Sequence, residues 1–100
     1  MRSSAKGRQM VKVRFVVTDK GGLDARRASL LARDAGSFES VIRIRKMDEP
    51  RPPANARSAV QVLALGVQQG DEVELIAEGP DERQAAALLK QLIDTDFAGL

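Results

Sequence analysis

The chain of 100 residues has no cysteine, histidine, tryptophan or tyrosine, and its only aromatic residues are three phenylalanines. Without cysteine there is no disulfide and no thiol chemistry. Without histidine as well, a zinc site of the usual kind, a Ser/His triad and a phosphohistidine are all excluded. No apolar run is long enough to span a membrane and there is no signal-peptide core, which points to a soluble, intracellular, cytoplasmic protein. No cofactor is implied either. Gly21-Gly22 is not a Gly-x-Gly-x-x-Gly pattern, and no phosphate-loop lysine follows it.

What is present suits one domain. The apolar share of 43% is enough for a single core at this length. The net charge is +2, but residues 1–9 hold Arg2, Lys6 and Arg8 and no acid, so the remainder carries −1. Residues 1–9 therefore read as a flexible basic tail and residues 10–97 as the domain. No basic stripe with interleaved aromatics appears, so stacking on bases lacks its platform. Nucleic-acid binding stays only as an alternative carried by the tail.

Hydrophobic alternation predicts a strand over 10–19, with Val11, Val13, Phe15 and Val17 on one face. From Asp24 or Ala25 to Ala35, Ala28, Leu31, Ala32 and Ala35 recur at helical spacing, and Gly36 stops the helix. Residues 41–46 form a second strand, with Ile42 and Ile44 opposite Val41, Arg43 and Arg45. The proline-rich stretch 47–53 is a connector, followed by a short strand at 54–56. Ser58 opens a short helix running to Gly66, with Val60, Leu63 and Ala64 facing inward. A strand over 72–78 places Val73, Leu75 and Ala77 inward and acids outward. Gly79-Pro80-Asp81-Glu82 then starts a last helix to Asp94, whose core stripe is Ala85, Leu88, Leu89, Leu92 and Ile93. Alternating strands and single-striped helices predict an α+β open-faced βαββαβα sandwich: a four-stranded antiparallel sheet with three helices on one face.

The stretch Gly21-Gly22-Leu23-Asp24-Ala25-Arg26-Arg27-Ala28 organises this plan. A strand enters it, a glycine pair turns the backbone, and a helix leaves with its free N–H groups and positive dipole end aimed at one spot. Asp24 stands there. Three roles are open to it: accepting a transferable group, imitating a charged state, or capping the helix. Arg26, Arg27 and Lys20 either form a docking face for acidic partners or are solvated helix charges.

Gly22-Leu23-Asp24-Ala25-Arg26-Arg27-Ala28 resembles the Gly-Leu-His-Ala-Arg-Pro-Ala signature of HPr, the small phosphocarrier of the bacterial sugar phosphotransferase system. Asn55-Ala56-Arg57-Ser58 resembles the Asn-Ala-Lys-Ser before that family's regulatory serine. Gln69-Gly70-Asp71-Glu72-Val73 and Ala77-Glu78-Gly79 follow its later segments in order. The resemblance covers residues 10–97 and implies an HPr-like fold. It also places the phosphoacceptor histidine on Asp24 and the following proline on Arg27, and it matches Arg26 to the arginine beside the phosphoryl group.

With Asp24 in place of that histidine, the chain resembles a Crh-like member of the family, one that lacks the active histidine and acts in regulation. That implies a protein that is not an enzyme and works by contact with other phosphotransferase-system proteins or a transcriptional regulator. The alternative is an active phosphocarrier using Asp24. Ser58 is implied as a regulatory phosphorylation site for a serine kinase, with Arg57 beside it. Arg27, Arg57 and Val60 are implied as partner-binding residues, Val60 lying where relatives carry part of a docking patch. The connector 47–53 is longer than the family's turn.

Overall fold

The computed structural model describes residues 10–97; the expected tail at 1–9 lies outside them. The elements are β1 (Val11–Val16), α1 (Ala25–Ala35), β2 (Val41–Lys46), β3 (Ala54–Asn55), α2 (Ala59–Ala64), β4 (Glu72–Glu78) and α3 (Glu82–Asp94). The sheet order is β1-β4-β2-β3 and every pairing is antiparallel. β4 is thus the central strand, with β1 and β2 on either side of it.

Side-chain alternation sends Phe15 of β1, Ile42 and Ile44 of β2, and Val73, Leu75 and Ala77 of β4 to one face. There they join Ala28 and Leu31 of α1, Val62 of α2, and Ala85 and Leu89 of α3 in one core. Each fully buried Leu, Ile or Val contributes about 1.5–3 kcal/mol by leaving water. The helices therefore cover one face and leave the other open, as the alternation predicts.

β1 ends at Val16, three residues before the expected limit, yet Val17 stays in the core. Its N–H donates to the Asp71 carbonyl, and its own carbonyl accepts from Gly70 N–H. The ladder stops at Val16, but the chain is held against the 70–71 turn.

Helix α2 buries a different side from the one expected, and α3 departs from its expected stripe at Leu88. On α2, Val60 is 78% exposed, Leu63 is 45% exposed and Ala64 is also outside, whereas Val62 and Leu65 are buried. Residues 59–65 are apolar except Gln61, so a helix of this length has no clear polar face to fix its phase. Tertiary bonding fixes it instead. The Gln61 side-chain oxygen accepts from Asn55 N–H, and Ser58 Oγ accepts from Gln61 N–H, which ties the start of α2 to the end of β3. On α3, Leu88 is half-exposed and Ala86 is buried beside Ala85. The buried stripe runs through Glu82, Ala85, Ala86, Leu89 and Ile93, which leaves Leu88 outside it.

The outward positions of β4 also depart from expectation. Glu74 and Ile76 are only 3% and 8% exposed, although both point to the open face. Central placement between two strands of long cationic side chains explains it.

Candidate functional site

The β1–α1 turn is built by its glycines. Gly22 adopts φ +60, and a Cβ there would lie 2.3 Å from the Val67 carbonyl oxygen. Leu23 N–H donates to that same carbonyl at 3.0 Å, so the turn is bolted to the segment after α2. Gly21 has another reason to lack a side chain: its Cβ would lie 2.6 Å from a terminal nitrogen of Arg27. The turn thus delivers Asp24 to the start of α1. Asp24 is the N-cap, its Oδ1 accepting from Arg27 N–H at 3.0 Å.

The sequence did not reveal what fills the turn. The Arg27 guanidinium folds back over it and meets three carboxylates: Asp24 at 2.7 Å, Asp19 at 3.0 Å and Asp96 at 2.5 Å. Its side chain is only 17% exposed, so Arg27 is not a solvated helix charge: its guanidinium is taken up by the carboxylates of the turn. Asp19 is local; its carboxylate also accepts from Gly21 N–H. Asp96 arrives from the far end of the described chain. After α3, Asp96 and Phe97 both take positive φ, 54 and 60, and Phe97 N–H closes back on the Leu92 carbonyl at 2.7 Å. This left-handed hook buries Phe97 in the core and swings Asp96 onto Arg27.

Ion pairs this exposed each contribute little stability. Their chemical effect is larger. The hydrogen bond from Arg27 holds the Asp96 carboxyl below its ordinary range, while bonding to Asp96 raises Arg27 further above its own. Both Asp24 oxygens are occupied, Oδ1 by Arg27 N–H and Oδ2 by the Arg27 guanidinium. Among the described residues no group of three or more acids is placed to hold a metal ion. Arg26 is exposed, and among the described residues it makes no ion pair.

Ser58 lies across the helical face. It is the N-cap of α2, partly exposed, with its Oγ accepting from Gln61 N–H at 3.2 Å. Arg57 does not lean on Ser58, because its guanidinium donates to the Phe38 carbonyl. Asn55 Oδ1 accepts from Arg57 N–H and so shapes the approach to Ser58. Val60, just inside α2, is the most exposed large apolar residue described.

Residues 11–95, which hold all these elements, match the family described as the PTS HPr component phosphorylation site. The chain belongs to the HPr family of the phosphotransferase system. It is 39% identical to the phosphocarrier protein HPr of Mycoplasma capricolum over 86% of this chain and 94% of that protein. It is 37% identical to the multiphosphoryl transfer protein of Salmonella typhimurium over 91% of this chain; the chain spans only 23% of that longer protein. The solved structure of HPr-C-His from Thermoanaerobacter tengcongensis superposes with a TM-score of 0.79 at 36% identity, covering 90% of this chain and 98% of that one. The open-faced sandwich is thus an HPr fold. Among the described residues no helix is long and apolar enough to cross a membrane.

A second anchored carboxylate lies at the other end of the sheet. Asp81 precedes α3 without capping it; its oxygens accept from Ser40 Oγ and from the N–H groups of Glu39 and Ser40. The bond from Ser40 leads in holding the Asp81 carboxyl below its ordinary value. Asp81 and Asp96 therefore both bind a proton less readily folded than unfolded. Their stabilisation is complete above the unfolded carboxylate range of about pH 4 and is lost as pH falls through the depressed folded values. The urea midpoint is expected to stay level from neutral pH to about pH 5 and to fall on further acidification. In Asp81→Asn the midpoint at neutral pH should be lower and the acid limb shallower. An unchanged acid limb would remove Asp81 from this account.

Proposed function

We propose that this chain is a cytoplasmic HPr-like protein that does not relay phosphate through the β1–α1 turn and acts instead by contact with other proteins. The chain has no histidine to phosphorylate, and the resemblance puts Asp24 at the acceptor position. The observation that carries the reading is the Arg27 clamp. A guanidinium shared by Asp19, Asp24 and Asp96 occupies the turn and engages both oxygens of Asp24. Partners of the phosphotransferase system, or a transcriptional regulator, would meet Arg26 at the start of α1 and the exposed Val60 and Leu63 on α2. Arg57, exposed before α2, would add a charge to this face, and Arg27, held by Asp19, Asp24 and Asp96, would shape its α1 side.

The deciding experiment is intact-mass measurement after incubation with phosphoenolpyruvate and the general phosphotransferase enzyme, with a histidine-bearing HPr as positive control. The control gains one phosphoryl group and this chain keeps its mass. A hydroxylamine-sensitive phosphoryl adduct lost in Asp24→Asn would make it an active carrier instead.

Ser58 is the proposed regulatory site. Its partly exposed hydroxyl caps α2, and a phosphate there would add about −2 of charge at a helix start. Treatment with a kinase of the type that modifies this serine in relatives, plus ATP, should add one phosphate to the protein and none to Ser58→Ala. An unmodified mass would rule the site out.

A further inference from the structure

The face of the sheet away from the helices carries a charge pattern that the phosphotransferase-related site does not use. Strand register sets Lys12, Ile76 and Arg43 in one row across β1, β4 and β2, and Arg14, Glu74 and Arg45 in the next. Strands lie about 4.8 Å apart and alternate residues about 6.7 Å apart, so the four cations stand at the corners of a rectangle of about 10 by 7 Å. Among the described residues only one carboxylate lies inside it. Glu74, with a side chain 4% exposed, accepts from Arg14 Nε at 3.2 Å and from Arg45 Nε at 3.0 Å. Burial pushes Glu74 up, but the two arginines outweigh it and hold the carboxyl below its ordinary value, so it stays charged. Arg14 nevertheless remains 57% exposed. Among the described residues no ion pair reaches Lys12 or Arg43.

The margins differ from the centre. The next row at one end pairs Val16 with Glu72, and at the other Val41 pairs with Glu78. Val16 and Val41 are each about half-exposed. A surface that served solubility alone would intersperse its signs. This one gathers four cations around a doubly used acid and sets exposed apolar side chains and acids beyond them.

We propose that this sheet face is a second docking surface, and that its partner is an acidic helical segment of another protein. Carboxylates one turn apart on a helix are separated by about 6 Å, close to the spacing of the two cationic rows. Arg43 and Arg14 offer guanidinium forks suited to carboxylates, and Val16 and Val41 give the flanks of such a helix an apolar footing. Nucleic acid fits less well. A phosphate backbone carries uniform charge past the rectangle and meets Glu72, and no phenylalanine serves as a stacking platform, since Phe15 and Phe97 are in the core and Phe38 packs against it. The proposal does not depend on the absence of phosphotransfer at Asp24.

The test is an amide NMR titration of the full chain at about 0.1 M salt with a helical peptide of about 20 residues, bearing glutamate pairs one turn apart and neutral ends. A peptide of the same composition without that spacing and an oligothymidylate of about 20 nucleotides serve as comparators. Shifts should centre on residues 12–14, 43–45 and 74–76, with the spaced peptide binding most tightly. The double variant Lys12→Gln, Arg43→Gln should weaken it at least about tenfold and leave the thermal midpoint in place, because neither side chain pairs with a described acid. Shifts centred on α1 and α2, no saturable shift, or equal affinity for the scrambled peptide would overturn the proposal. Tighter binding of the oligothymidylate would reassign the face to nucleic acid.

Discussion

Replacing Gly22 by alanine is expected to cost about 2–4 kcal/mol, a large part of the 5–15 kcal/mol typical of a domain this size. Two contributions add. A side chain at φ +60 carries a left-handed penalty of about 1 kcal/mol. The new Cβ must also clear the Val67 carbonyl oxygen at 2.3 Å and the Gln68 Cα at 2.8 Å, both backbone atoms that cannot swing aside. Separating them breaks the bond from Leu23 N–H to Val67, about 1 kcal/mol or more once the groups are left unpaired. Gly66→Ala is the matched comparison. Gly66 has a similar φ of +68 with open space around its Cβ position, so only the conformational penalty should appear. Urea titration of both variants separates the two effects. Equal losses would show that contact with Val67 is not what sets the turn.

The second large effect concerns two leucines that hydrophobic spacing alone treats alike. Leu31→Ala should cost about 2–5 kcal/mol, because Leu31 is fully buried in the core and deletion leaves a cavity beneath α1. Leu63→Ala should change stability by no more than about 0.5 kcal/mol, because that side chain is 45% exposed on α2. If partners dock on α2, Leu63→Ala and Val60→Ala will weaken binding while the urea midpoint stays in place. A Leu63→Ala loss comparable to that of Leu31→Ala would mean that α2 faces the other way.

This pair marks where local pattern stops being informative. β1, β2 and β4 and the buried side of α1 follow directly from alternation and from the Asp24 and Gly36 boundaries. A six-residue helix with apolar residues on every side does not declare its inner face. Val62 and Leu65 are inside because hydrogen bonds from the 55–61 segment orient α2. On α3, five apolar residues fit one stripe by spacing, yet the packed side includes Ala86 and Glu82 and leaves Leu88 outward.

The turn at Gly21-Gly22 shows the same division at the candidate site. Local chemistry is enough to specify a glycine turn, an aspartate cap and a helix start, because each rests on neighbours within a few residues. Local chemistry also gives the absence of histidine, and with it the exclusion of phosphohistidine transfer. The long-range partner of Arg27 was decided elsewhere. Asp96 lies 69 residues beyond Arg27 and reaches it only because Phe97 is drawn into the core and two left-handed residues reverse the chain after α3. Charge and capping act over a turn of backbone, whereas the closing of three carboxylates on one guanidinium needed the whole sandwich to assemble. Local sequence placed an acid at the helix start and an arginine three residues on; the fold brought Asp96 onto that guanidinium.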